Sequence, residues 1–105
     1  MPDLAIQIDK DKLRDFCRRW KVTEFALFGS VVRPEEFRDD SDVDVLVRVD
    51  PDATLTFSAW LDMREELMAI FGRDVDLADR TAVEQMRNYL RRAAILETAV
   101  FLDVA

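Results

Sequence analysis

The chain has no histidine, a single cysteine and no surplus of basic residues. Without imidazole, Ser-His and Cys-His nucleophile systems are excluded. With Cys17 as the one thiol, a zinc centre of nitrogen and sulfur ligands has nothing to be built from. A lone cysteine forms no disulfide within the chain, which fits a reducing compartment. No apolar run approaches the roughly 18 residues of a membrane span. The opening MPDLAIQIDKDK has no basic stretch leading into an apolar one. The expected location is therefore cytoplasmic, with no membrane contact. Acids outnumber bases 22 to 15, a net charge of −7, which disfavours long-range attraction of nucleic acid or anionic lipid. Any metal here would be held by oxygen.

What is present suits one small folded domain over residues 1–105. Half the residues are hydrophobic and a tenth aromatic, enough for one core at this length. Leu13, Phe16, Cys17 and Trp20 fall at helical spacing behind an aspartate, which predicts a helix from about Asp9 or Asp11. EFALF (24–28) reads as a short strand ending at Gly29. VDVLVRV (43–49) alternates with β-branched residues and predicts the clearest strand. After a loop at DPDAT (50–54), Phe57 to Phe71 reads as a helix stopped by Gly72, its broad apolar arc directed to the core or, alternatively, with one edge meeting a partner. DVDLAD (74–79) alternates again. Thr81 and Glu84 have the spacing of a capping box that opens a last helix or helix pair to about Glu97. AVFLDVA (99–105) is either a helical tail or a short strand. Helix, strand, turn, strand, helix, strand, helix predicts an α+β fold, a small mixed sheet backed by helices.

The stretch FGSVVRPEEFRDDSDVDVLV (28–47) carries the chemistry. Asp42 and Asp44 stand at alternate positions, so their side chains leave one face of a strand. Two carboxylates so placed can converge on hard cations, and Mg2+ takes oxygen ligands while keeping room for phosphates. Gly29 allows close backbone approach to a phosphate. The Ser30 hydroxyl can donate to a phosphate oxygen, and Arg33 can contact the same anion. Asp-x-Asp alone is most simply a solvated strand face, and Gly-Ser alone a turn. Together they lie at one end of adjacent strands. Val75 and Leu77 facing the core would turn Asp76 to the opposite face, with Asp74 as the rival acid on that face.

Gly-Ser, a short spacer and Asp-x-Asp resemble the signature of the DNA polymerase beta-like nucleotidyltransferases. The chain's size and its continuation GRDVDLADR resemble the minimal nucleotidyltransferases that partner HEPN-domain toxins. The resemblance covers about Leu13 to Glu97. It implies the nucleotidyltransferase fold, with ATP as substrate and Mg2+, as two ions, held by Asp42, Asp44 and Asp76. It implies nucleotide contacts at Gly29, Ser30, Arg33 and Ser41. It further implies transfer of AMP to a hydroxyl of a HEPN-type toxin, a tyrosine by analogy, with this chain as antitoxin. The alternative is a catalytically weak binding module that inhibits its partner by complex formation. Self-association is a further possibility. Two features depart from the signature: Val32-Arg33-Pro34 replaces a small residue followed by Arg-Gly, and the spacer from Arg33 to Ser41 is about one residue longer.

Overall fold

A computed structural model describes residues 6–53 and 55–103. Residues 1–5 of the opening segment, Thr54 at the end of the Asp50 loop and residues 104–105 of the tail lie outside it. Along the chain the elements are α1 (Lys10–Trp20), β1 (Val22–Phe28), two 3-10 turns (Gly29–Val32 and Pro34–Glu36), β2 (Val43–Val49), α2 (Phe57–Phe71), β3 (Val75–Asp79), α3 (Arg80–Glu84), α4 (Tyr89–Thr98) and β4 (Val100–Leu102). The architecture is α+β, as the order of elements predicted.

Local chemistry sets the boundaries. Asp9 caps α1, its Oδ1 accepting from the Lys12 N–H at 3.2 Å. Thr56 caps α2 by accepting from Ala59 N–H at 3.1 Å, and Gly72, at φ +72°, closes it. The capping box read at Thr81 and Glu84 is not used. Asp79, the last residue of β3, caps α3 instead, accepting from the Thr81 N–H at 3.1 Å. Asn88 then opens α4. Strand β1 begins at Val22, two residues ahead of the expected start. The tail resolves as strand, with β4 antiparallel to β1.

The described strands form one sheet in the order β3-β2-β1-β4. β1 and β2 are antiparallel, whereas β2 and β3 are parallel and joined by the α2 crossover. On one face Phe25, Leu27, Val43, Val45, Val47, Val75 and Leu77 pack against Leu13, Phe16 and Cys17 of α1 and Met63 and Leu67 of α2. Burial pushes the Cys17 thiol up to about 11, so it stays protonated and packs as a small hydrophobe. On the other face Ala26 and Leu46 are covered by Val83 of α3 and Ile95 of α4. The apolar arc of α2 is only partly core: Met63 and Leu67 are fully buried, whereas Phe57 is 77% exposed and Leu61 42%. Arg64, inside that arc, donates its Nε–H to the Val75 carbonyl at 2.8 Å, tying α2 to the start of β3. Among the described residues no helix is long and apolar enough to cross a membrane.

Candidate active site

The α3/α4 face of the sheet is laid out in rows by strand register. Ala26 and Leu46 face each other, with Ala78 beyond, and helices cover this apolar row. Two residues toward one end, Phe28 pairs with Asp44 and Asp44 with Asp76. The helices do not seal this row: Asp44 is half-buried and Asp76 exposed. Partner positions on adjacent strands are about 5 Å apart, so Asp44 and Asp76 are side by side on one face. Asp42 is on the approach to β2 rather than in it, and is exposed. Asp74 likewise precedes β3, and its carbonyl accepts from the Val43 N–H at 2.9 Å. The register thus sets Asp44 beside Asp76, with Asp42 and Asp74 just beyond the strand starts.

Gly29 belongs to the same corner. Its φ is +72°, and a Cβ built on it would stand 2.1 Å from Asp44 Oδ2. The carboxylate therefore occupies the space that a side chain at position 29 would take. The 3-10 turn Gly29–Val32 follows directly. Ser30 is half-buried, its carbonyl accepts from the Arg33 N–H at 3.0 Å, and Val31 is buried.

The electrostatics follow from this crowding. The Asp44 carboxyl is pushed up to about 6, first by burial, then by the negative charges of Asp76 and Asp42. The cations Arg33 and Arg91 partly offset that rise. A hard cation would relieve the same repulsion, and the donor set, all carboxylate oxygen, fits Mg2+. Among the described residues no three acidic or thiol side chains are gathered as a ready ligand set. Binding would thus have to draw the carboxylates together.

Arg73 holds the approach to Asp42. One of its guanidinium nitrogens donates to the carbonyls of Arg38 and Ser41, each at 3.2 Å, and the group lies 4.5 Å from the centre of the Phe37 ring. The Ser41 hydroxyl accepts from the Arg38 N–H at 2.9 Å, closing the same turn. A cleft of about 300 Å3 is lined here by Asp39, Asp40, Ser41, Asp42, Arg73 and Asp74. A larger one, of about 550 Å3, lies between the α1 N-terminal segment and Ile70, where none of these site residues lines it. Arg73→Ala should free the 38–42 turn and speed amide hydrogen exchange there. Unchanged exchange in the turn would argue against the clamp.

The residues expected from the sequence thus fall in two groups. Gly29, Ser30, Asp42, Asp44 and Asp76 share one corner. Arg33 is exposed and ion-paired with Glu36, yet its charge reaches Asp44. Ser41 stands at the loop edge with its hydroxyl engaged in the turn. Sequence reading missed Arg73 and Arg91. Arg73 directly follows the Gly72 stop, a signal that was available; nothing local marks Arg91.

Residues 10–101 match the nucleotidyltransferase domain family. The protein adenylyltransferase MntA of Thermococcus cleftensis is 36% identical over 75 residues, 71% of this chain and 70% of that one. A chain of Methanocaldococcus jannaschii provisionally named a protein adenylyltransferase is 37% identical over 65 residues, 62% of this chain and 64% of its own length. The match therefore spans a little under two thirds of that relative. A solved structure described provisionally as a minimal nucleotidyltransferase superposes with a TM-score of 0.68 at 27% identity, covering 89% of this chain and 88% of that one. A tri-AMPylated Shewanella oneidensis HEPN toxin in complex with MNT antitoxin matches in fold, with a TM-score of 0.56 at 21% identity over 88% of this chain and 66% of that one. With Gly-Ser, Asp-x-Asp and a third acid on one corner of the sheet, and a family match across nearly its whole length, the chain belongs to the nucleotidyltransferase domain family.

Proposed function

We propose that this chain transfers AMP from ATP to a hydroxyl, a tyrosine by analogy, of a HEPN-domain toxin, and so acts as its antitoxin in the cytoplasm. The observation that carries the reading is the register that sets Asp44 beside Asp76 and against the Gly29-Ser30 turn. The named relatives support it: one is a protein adenylyltransferase, and one solved neighbour comes from a complex of a tri-AMPylated HEPN toxin with MNT antitoxin.

In this reading Ser30 and Arg33 bind phosphate oxygens, and Gly29 lets the backbone approach them. Ser41 lines the entrance beside Asp42. Asp42, Asp44 and Asp76 would hold Mg2+, which when bound supplies positive charge to the phosphates. The acceptor oxygen attacks the α-phosphorus, a new O–P bond forms, and the bond to the bridging oxygen breaks to release pyrophosphate. Asp76, exposed on the open side of the row, either completes the carboxylate set or takes the acceptor's proton. The acidic balance of the chain suits a protein acceptor better than a nucleic acid.

ATP labelled in its α-phosphate, Mg2+ and a HEPN-domain toxin should yield a labelled toxin. A competing reading, inhibition by complex formation alone, draws on the exposure of Phe57, Tyr89 and Leu90, each at least 65% accessible. The two part on one comparison. If the parent protein leaves no label while an Asp42→Asn/Asp44→Asn variant still inhibits fully, transfer is wrong and binding stands.

A further inference from the structure

Helix α4 brings a cation to the carboxylate corner that the site as described does not use. Ile95 is buried against Ala26 and Leu46. Arg91, four residues earlier, is on the same helix face one turn away. Leu46 is two residues past Asp44 on the same sheet face, and α4 also packs on the Gly29–Val32 turn. With α4 packed on the turn that abuts Asp44, Arg91 is near enough for its charge to act on Asp44 together with that of Arg33.

Several arginines nearby are engaged. Arg33 pairs with Glu36, Arg48 with Glu24 and Glu84, Arg80 with Glu24, and Arg92 donates to the Met86 carbonyl. Arg91 uses its backbone N–H for the Asn88 cap at 3.1 Å, but its guanidinium makes no hydrogen bond or ion pair among the described residues. An exposed guanidinium with free donors, held across from a carboxylate set, is suited to a polyanion seated between them.

We propose that Arg91 binds the β- and γ-phosphates of the nucleoside triphosphate and stabilises the departing pyrophosphate. This rests on the nucleotide-transfer reading and adds a substrate-contacting residue to it. As the P–O bond to the leaving group breaks, negative charge accumulates on pyrophosphate, so the guanidinium contact strengthens along the reaction.

The test is the affinity of the full chain for ATP and for AMP, each with Mg2+, measured by calorimetry for the parent, Arg91→Ala and Arg91→Lys. A lost charge-assisted contact should weaken ATP binding by about tenfold or more in the alanine variant, with AMP affinity changed less than about twofold. Lysine should restore part of the loss. If Arg91→Ala binds ATP as the parent does, or loses AMP as strongly as ATP, the assignment is wrong while the transfer reading stands. If the parent binds neither nucleotide, both fall together.

Discussion

Asp44→Asn should reduce nucleotidyl transfer by about 10^3-fold or more, and the metal-free variant should nevertheless melt higher than the parent at pH 8. Both effects come from the same crowding. Asp44 is the central acid of the row, beside Asp76 and under Gly29, so an amide there removes the group best placed to join the others around a cation. Ionising this carboxyl in the folded protein is unfavourable because of burial and the charges of Asp76 and Asp42, which raise its pKa from 3.8 to about 6. Between those two values the unfolded chain has released the proton that the folded one still holds. The contribution of Asp44 to folding stability is therefore fully present below about pH 4, falls as pH rises, and is lost by the time pH passes through about 6. The asparagine variant has no such proton to lose, so its stability profile should be flatter across this window. Mg2+ should reverse the parent's deficit and leave the variant little changed. Below about pH 6 the parent's Mg2+ affinity should fall as Asp44 takes up its proton. Thermal melts at pH 5 and pH 8, with and without Mg2+, read all of this. An Asp44→Asn variant that melts lower than the parent at pH 8 without metal would contradict the account.

Gly29→Ala should also damage activity, though less, and for a steric reason. The backbone there is at φ +72°, and the new methyl would sit 2.1 Å from Asp44 Oδ2 and 3.1 Å from its Cγ. An L-residue in the left-handed region costs about 1–2 kcal/mol, and the clash adds displacement of the carboxylate. Misplacing a reacting group by about 1 Å is enough for about 100-fold in rate, so a loss of that size is expected along with lowered stability. Gly72→Ala is the matched control. Its φ is also +72°, but a methyl there meets nothing within 4 Å. It should cost about 1 kcal/mol of stability with transfer activity retained. Equal activity losses in the two variants would mean that backbone strain, not the Asp44 contact, is what matters at Gly29.

Short-range signals in the sequence were enough for the elements that frame the site. The valine alternation of 43–49 and the Gly72 stop of α2 depend on neighbours in the chain, and both elements have the expected ends. The Thr81 cap was misread because Asp79 offers an equally good oxygen two residues earlier, and only the end of β3 decides between them. The arc of α2 was read too broadly. A helical wheel gives the direction of each side chain but not how far the sheet extends, and Phe57 and Leu61 project past its cover. Asp74 and Asp76 share a face in any strand, so their relation to Asp44 depends on the β2–β3 register, a long-range property. Arg91 was illegible for the same reason, since the crossing of α4 over the sheet is what brings it to the acids.

The same register bears on where this domain tolerates changes of length. Between Arg33 and Ser41 the resemblance to the family signature implies about one extra residue in this chain. The far end of that segment is held separately, by the Arg73 contacts to the carbonyls of Arg38 and Ser41. At the near end, the Gly29 turn abuts Asp44. Adding one residue to a connection of about ten costs roughly 0.1 kcal/mol in closure entropy, and neither anchored end need move. A single residue inserted between Gly72 and Val75 is a different matter if β2 keeps its pairing. A one-residue slip would turn Asp76 toward the α1/α2 core and bring Val75 and Leu77 into the open. The domain thus has one connection whose length is nearly neutral and one whose length is constrained, and the departure from the family pattern falls in the neutral one.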